Sequence, residues 1–88
     1  MMKYEFINGI KKNTYTSGVY AHIRTEDAKH YCADLSYTSD RGIEFMVFPA
    51  DVIGRVTDWG ELYASYPSEI SEESFTEQVE DWLQGKEQ

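Results

Sequence analysis

The side chains best suited to chemistry lie in one stretch, which holds both histidines and the only cysteine: His22, His30 and Cys32, followed by Asp34. Imidazole, thiolate and carboxylate groups are ligands of transition metals such as zinc. A cysteine beside a histidine is also the pairing that thiol nucleophiles use. The spacing matches no familiar zinc motif. A small metal-binding domain using His22, His30 and Cys32 is therefore kept as an alternative, and we expect no metal or other cofactor.

Enzyme signatures are missing from the sequence. It has no Gly-rich phosphate loop, no nucleophile elbow and no dinucleotide fingerprint. An activated thiol needs an oxyanion site and a cleft, which no motif indicates. Carboxylate pairs occur in any acidic chain, and none here is flanked by a recognisable signature. We therefore expect no catalytic residues and no enzymatic activity.

Three segments with period-two alternation must position the histidines and the cysteine. Residues 18–24, 29–37 and 43–48 are rich in β-branched and aromatic residues and predict three strands. The short polar connections at 25–29 and 38–42 are typical of tight turns. The three strands are therefore expected to form an antiparallel meander.

The register of this meander follows from its apolar residues. Pairing Ile23 with Tyr31, and Tyr37 with Ile43, opposes apolar side chains throughout, whereas a slip by one residue would send them to the wrong face. The predicted core face is apolar along all three strands. It comprises Val19, Ala21, Ile23, Tyr31, Ala33, Leu35, Tyr37, Ile43, Phe45 and Val47.

The sequence before and after the meander predicts further elements. Asn8-Gly9 is a strong signal for a two-residue turn, so residues 4–7 and 10–15 are expected to form an N-terminal hairpin. Residues 62–66 predict one more strand.

A C-terminal amphipathic helix is predicted over 72–84. Ser71 is its expected N-cap, acidic residues occupy its first turn, and Gly85 is expected to end it. Its apolar stripe must be buried on the core face of the sheet. The stripe consists of Phe75, Val79, Trp82 and Leu83. We predict an α+β fold, in which residues 1–88 form one domain.

The sheet face away from this helix, here called the second face, is mixed in character. The predicted register places ten side chains on it: Tyr20, His22, Arg24, His30, Cys32, Asp34, Ser36, Glu44, Met46 and Phe48. Tyr20, Met46 and Phe48 make it half apolar, which is typical of partner-binding patches. Alternatively, the N-terminal hairpin or residues 50–66 cover it.

Charge is unevenly distributed along the chain. The net charge is −8, and residues 1–50 carry six acidic and six basic residues, whereas residues 51–88 carry ten and two. This balance disfavours direct binding to nucleic acid or to an anionic membrane and favours a basic protein partner. No apolar run approaches the roughly 20 residues that cross a bilayer. A single cysteine and no secretory leader predict a cytoplasmic protein.

The outer face of the predicted helix carries much of this acidity. Glu73, Glu77, Glu80 and Gln84 follow one another along it, flanked by Asp81 and Glu72. Such a row can imitate a phosphate backbone and occupy the basic groove of a nucleic-acid-binding protein. It can equally be a solvated helix face.

The leading prediction is a non-enzymatic, acidic protein-binding module that inhibits or antagonises a basic, nucleic-acid-binding protein. We predict that partner-binding residues lie on the helix and on the second face: Glu73, Glu77, Glu80, Asp81, Tyr20, Met46 and Phe48. A self-associating structural domain, and with it a homodimer, is the alternative, because a small sheet leaves unpaired edges.

Overall fold

The computed structural model describes residues 1–40, 42–59 and 63–86. Within these ranges the chain forms a five-stranded antiparallel sheet, in the order β1-β2-β3-β4-β5, with one helix packed on one face. The predicted α+β fold is confirmed. The elements are β1 (Tyr4–Asn13), β2 (Gly18–Thr25), β3 (His30–Thr38), β4 (Gly42–Ala50), β5 (Tyr63–Ser65) and α1 (Glu72–Lys86).

The register of the central meander is the predicted one. Ile23 pairs with Tyr31 across β2 and β3, and Leu35 pairs with Phe45 across β3 and β4. The bounds differ slightly from the predicted ones. Strand β2 ends one residue later, β3 begins and ends one residue later, and β4 is longer at both ends, so that Pro49 lies within it. Burial of a single face fixes this register, because any slip by one residue would expose the whole apolar set.

The turn predicted at Asn8-Gly9 is wrong. β1 continues through both residues, which adopt left-handed φ angles of 64° and 75°, and its pairing with β2 shifts between Ile7 and Lys11. The pair forms a bulge, and the turn between β1 and β2 falls at residues 14–17 instead. A bulge and a two-residue turn need the same positive φ angles, so the local signal serves both.

The core lies between the sheet and α1. All four residues of the predicted helix stripe are buried, and the Trp82 ring lies edge-on to Tyr31 with centroids 4.7 Å apart. The buried apolar residues are Val19, Ala21, Ile23, Tyr31, Ala33, Leu35, Phe45, Val47, Phe75, Val79, Trp82 and Leu83. Tyr37 was expected among them but is 56% exposed, because it lies where the core face ends at the β3–β4 turn.

Both ends of α1 are fixed by specific contacts. The backbone N–H of Ser74 donates to the Ser71 hydroxyl at 3.0 Å, and the Ser71 N–H donates to the Ser74 hydroxyl at 3.2 Å, which confirms Ser71 as the N-cap. Gly85 does not end the helix, which runs to Lys86. The Lys86 ammonium lies 5.0 Å from the Tyr31 ring centroid, and this cation–π contact holds the last turn against the sheet.

The short strand β5 completes the sheet next to β4. Tyr63 packs edge-on against Phe45, with ring centroids 5.9 Å apart. The Ser65 hydroxyl donates to the Gln78 side chain of α1. The strand predicted over 62–66 is thus found at Tyr63–Ser65, and its first residue, Leu62, lies outside the described residues.

Candidate functional site

The second face brings the two histidines together. His22 lies opposite Cys32 as predicted, and its Nε2 is 2.8 Å from the Nδ1 of His30. One ring must donate to the other, so this hydrogen bond is lost when both are protonated. Burial lowers the pKa of His22, with repulsion from His30 acting in the same direction and the Asp51 carboxylate opposing it.

The remaining members of the predicted metal set do not join this pair. Within the described ranges, no group of three or more His, Cys, Asp or Glu side chains could hold a metal ion. The Asp34 carboxylate accepts a hydrogen bond from the Ser36 hydroxyl instead. Burial, reinforced by the Asp34 charge, raises the pKa of Cys32 and keeps the thiol protonated. A protonated thiol is a poor nucleophile and a poor ligand.

Residues 51–59, here called the 51–59 loop, fold over part of the second face. The Asp51 Oδ1 accepts hydrogen bonds from the backbone N–H groups of Ile53 at 3.1 Å and Arg55 at 2.9 Å, and these bonds lower the pKa of Asp51. Gly54 has a φ of +88°, and a Cβ there would lie 3.0 Å from His22 Nδ1. Only glycine therefore lets the loop pack this closely on the imidazole.

The same loop turns large apolar side chains toward solvent. Val52, Ile53, Val56 and Trp59 are 72%, 62%, 45% and 77% exposed. Trp59 also packs edge-on against Phe48, with ring centroids 5.6 Å apart. The loop extends the apolar character of the second face, where Tyr20, Met46 and Phe48 are half-buried.

Sequence reasoning missed this exposed group, although a signal for it was present. An apolar pair, Val52-Ile53, directly precedes a glycine and follows Asp51. An aspartate two residues before a turn commonly accepts backbone hydrogen bonds and closes it. An apolar pair at the tip of such a turn has no sheet neighbour to bury it.

The outer face of α1 carries acidic side chains in a slightly different row from the one predicted. Glu73, Glu77 and Asp81, here called the acidic row, are exposed and recur every four residues. Glu80 instead accepts a hydrogen bond from the Tyr4 hydroxyl at 3.1 Å and is half-buried. Burial, followed by Glu80, raises the pKa of Tyr4 to about 12.

The two faces differ in how their charges are compensated. On the second face Arg24 pairs with Glu5, and in the loop Arg55 lies 4.0 Å from Asp51. On α1 the nearest base, Lys86, is directed at the Tyr31 and Trp82 rings. Among the described residues, the acidic row has no basic partner.

No protein-family model, curated protein or solved structure matches the chain. In the described ranges there is no helix long and apolar enough to cross a membrane. Two surfaces of the described chain stand out, the acidic row on α1 and the second face with the 51–59 loop over part of it.

Proposed function

We propose that this chain is a non-enzymatic protein-binding module that presents the acidic row of α1 to a basic surface on a partner protein. The observation that carries the proposal is that Glu73, Glu77 and Asp81 are exposed on one helix face, with no base beside them in residues 1–40, 42–59 and 63–86. A basic groove that normally holds nucleic acid fits this row, so the module would act as an inhibitor or antagonist.

The helix is well suited to display these charges. Residues four apart lie about 6 Å apart along a helix axis and about 40° apart around it, so the three carboxylates share one side of the helix and turn through about 80° in all. Buried Phe75, Val79 and Leu83 hold α1 on the sheet. A prearranged row gives up little conformational entropy when it binds, which favours affinity.

The charge of the whole chain supports a protein partner. A net charge of −8 repels nucleic acid and anionic lipid but attracts a basic protein and speeds its encounter. We also propose that the module works in the cytoplasm, because its single cysteine, Cys32, is free.

The test is a comparative capture from the source cell, followed by calorimetry with the purified partner. The row-neutral variant combines Glu73→Gln, Glu77→Gln and Asp81→Asn. Its matched control removes three other exposed charges by Glu26→Gln, Asp40→Asn and Glu69→Gln. We expect the row-neutral variant alone to lose the partner, and added salt to release the partner from the unmodified chain.

Equal effects of the two variants would show that only net charge matters and would refute a specific helix surface. A partner indifferent to both variants and to salt would remove the acidic row from consideration.

A further inference from the structure

We propose that the 51–59 loop is a self-association surface, through which two copies of this chain pack their loops and adjoining second faces around a twofold axis. The proposal goes beyond binding by α1 and does not depend on it. It commits to a second copy of this chain as the molecule that covers Val52, Ile53 and Trp59.

Backbone hydrogen bonds within the loop hold its apolar side chains outward. Asp51 closes the turn through two backbone hydrogen bonds. Ala50 bridges to Val56, and the Thr57 N–H donates to the Pro49 carbonyl oxygen at 3.0 Å. Exposure of these side chains is therefore built into the fold. Contiguous exposed apolar patches on small proteins mark interaction sites.

Charge distribution favours a second copy of this chain at the loop. Ion pairs of Arg24 with Glu5 and of Arg55 with Asp51 offset two of the carboxylates on the side of the sheet where the loop lies. The acidic row, which has no basic partner among the described residues, lies on the opposite side, on α1. Two negatively charged copies therefore repel less when their second faces meet than when their helices meet, whereas a basic partner is attracted to the helix.

The apolar loop also suits a symmetric contact. A twofold interface places the same patch on both sides, and an apolar loop tip is complementary to itself. A stable interface buries roughly 800 Å² per partner, more than a loop of this size supplies. Tyr20, Met46 and Phe48 are half-buried beside the loop and supply the additional apolar surface.

The arrangement has a structural consequence for α1. Because the helix covers the other face of the sheet, pairing through the loops leaves α1 of each copy on the outside of the dimer. The dimer then presents two acidic rows facing away from each other. Two linked copies can bind a partner with two sites more tightly than either copy alone.

The test is sedimentation equilibrium of the purified chain from low to high micromolar concentration, at about 0.01 M and about 1 M salt, where the Debye length falls from about 30 to about 3 Å. We expect a monomer–dimer equilibrium that salt strengthens, because screening reduces repulsion between two acidic copies. Binding of a basic partner through the acidic row weakens with salt, so the two proposals fail independently.

Two variants make the test specific to the loop. Replacing Val52 and Ile53 together by Ser is expected to weaken the dimer at least about tenfold, because both side chains would leave the apolar contact. The matched control is Tyr15→Ser, which removes an exposed aromatic ring at the β1–β2 turn and is expected to leave the dimer unchanged. Neither substitution touches the core, and circular dichroism checks the fold.

A strict monomer at high micromolar concentration in both salts would overturn the proposal. So would a dimer that persists after the loop substitutions or is lost equally with Tyr15→Ser, because association would then run through another surface, such as the exposed edge of β1.

Discussion

The helix α1 and the 51–59 loop expose side chains of contrasting chemistry, charged on the helix and largely apolar on the loop. The helix exposes a row of carboxylates, and the loop exposes large apolar side chains beside the polar Arg55, Thr57 and Asp58. The helix is fixed by its buried stripe and its N-cap, and the loop by the Asp51 carboxylate and contact with His22. Two surfaces on opposite sides of one sheet can therefore be altered separately.

The largest expected effect on stability comes from the hydrophobic core, which underlies both surfaces. Phe45→Ala removes a fully buried ring that touches both Phe75 of α1 and Tyr63 of β5. We expect the free energy of unfolding to fall by about 3–5 kcal/mol, measured by urea denaturation, because a cavity opens in the core. Tyr37→Ala is the control on the same sheet face. Removing its exposed ring should lower the free energy of unfolding far less than Phe45→Ala does. Equal losses from the two variants would contradict the core described above.

The next effect separates loop from core. Gly54→Ala forces a side chain into a left-handed φ and against His22, and we expect a loss of about 1–3 kcal/mol. Gly42→Ala is the matched control, since Gly42 has a φ of +81° with open space around a Cβ. The difference in unfolding free energy between the two variants reports the His22 contact. Two results would show that the loop does not pack on the imidazole. One is an equal loss of unfolding free energy in the two variants, and the other is a loss from Gly54→Ala that stays the same when His22→Ala is added.

A smaller effect is expected where α1 meets β1. Tyr4→Phe removes the hydrogen bond to Glu80 and should cost about 0.5–1.5 kcal/mol, at the lower end because the pair is only part-buried. Glu77→Gln, one turn earlier and exposed, is the control and should be nearly neutral. Burial, and after it the contact with Glu80, raises the pKa of Tyr4 to about 12. The folded chain therefore binds the Tyr4 proton more tightly than the unfolded chain does. The stability that this group contributes is present below about pH 10 and is lost as pH rises from about 10 toward 12. Spectroscopic titration of tyrosinate, with Tyr4→Phe as reference, checks this window.

The smallest effect is the pH response of the histidine pair. The pKa of His22 is lowered from 6.5, so the unfolded chain binds its proton more readily than the folded chain does. Stability from this group is present above pH 6.5 and is lost as pH falls through 6.5 toward the lowered pKa. His22→Gln should flatten the dependence of thermal stability on pH in that range. An unchanged slope would show that His22 is not the group responsible.

The central meander was predictable because alternation and burial act together there. The alternating apolar residues of the core face in β2, β3 and β4 all favoured the same register, as the pairing of Leu35 with Phe45 shows. The stripe of α1 was predictable for the same reason. At Asn8-Gly9, by contrast, a bulge and a turn share one local signal, and burial of Phe6 and Ile10 beside the core decides between them.

The sites were less predictable than the fold, because they depend on contacts between distant residues. Tyr4 and Glu80 are 76 residues apart, so no local pattern shows that Glu80 contacts β1 and is half-buried. Packing of Gly54 on His22 likewise depends on how a short loop folds back across the sheet. The predicted His and Cys group was placed on one face correctly, but side-chain directions within that face are not encoded by periodicity.

Backbone amide chemical shifts test the separation of the two surfaces most directly. The purified chain is titrated with a lysine-rich peptide as a basic probe, and in a second series it is diluted without the peptide. We predict that the peptide shifts amide signals of α1 around Glu73, Glu77 and Asp81, and that dilution shifts those around Val52, Ile53 and Trp59. Signals that respond alike in both series, or peptide shifts spread evenly over all exposed acidic residues, would contradict the account.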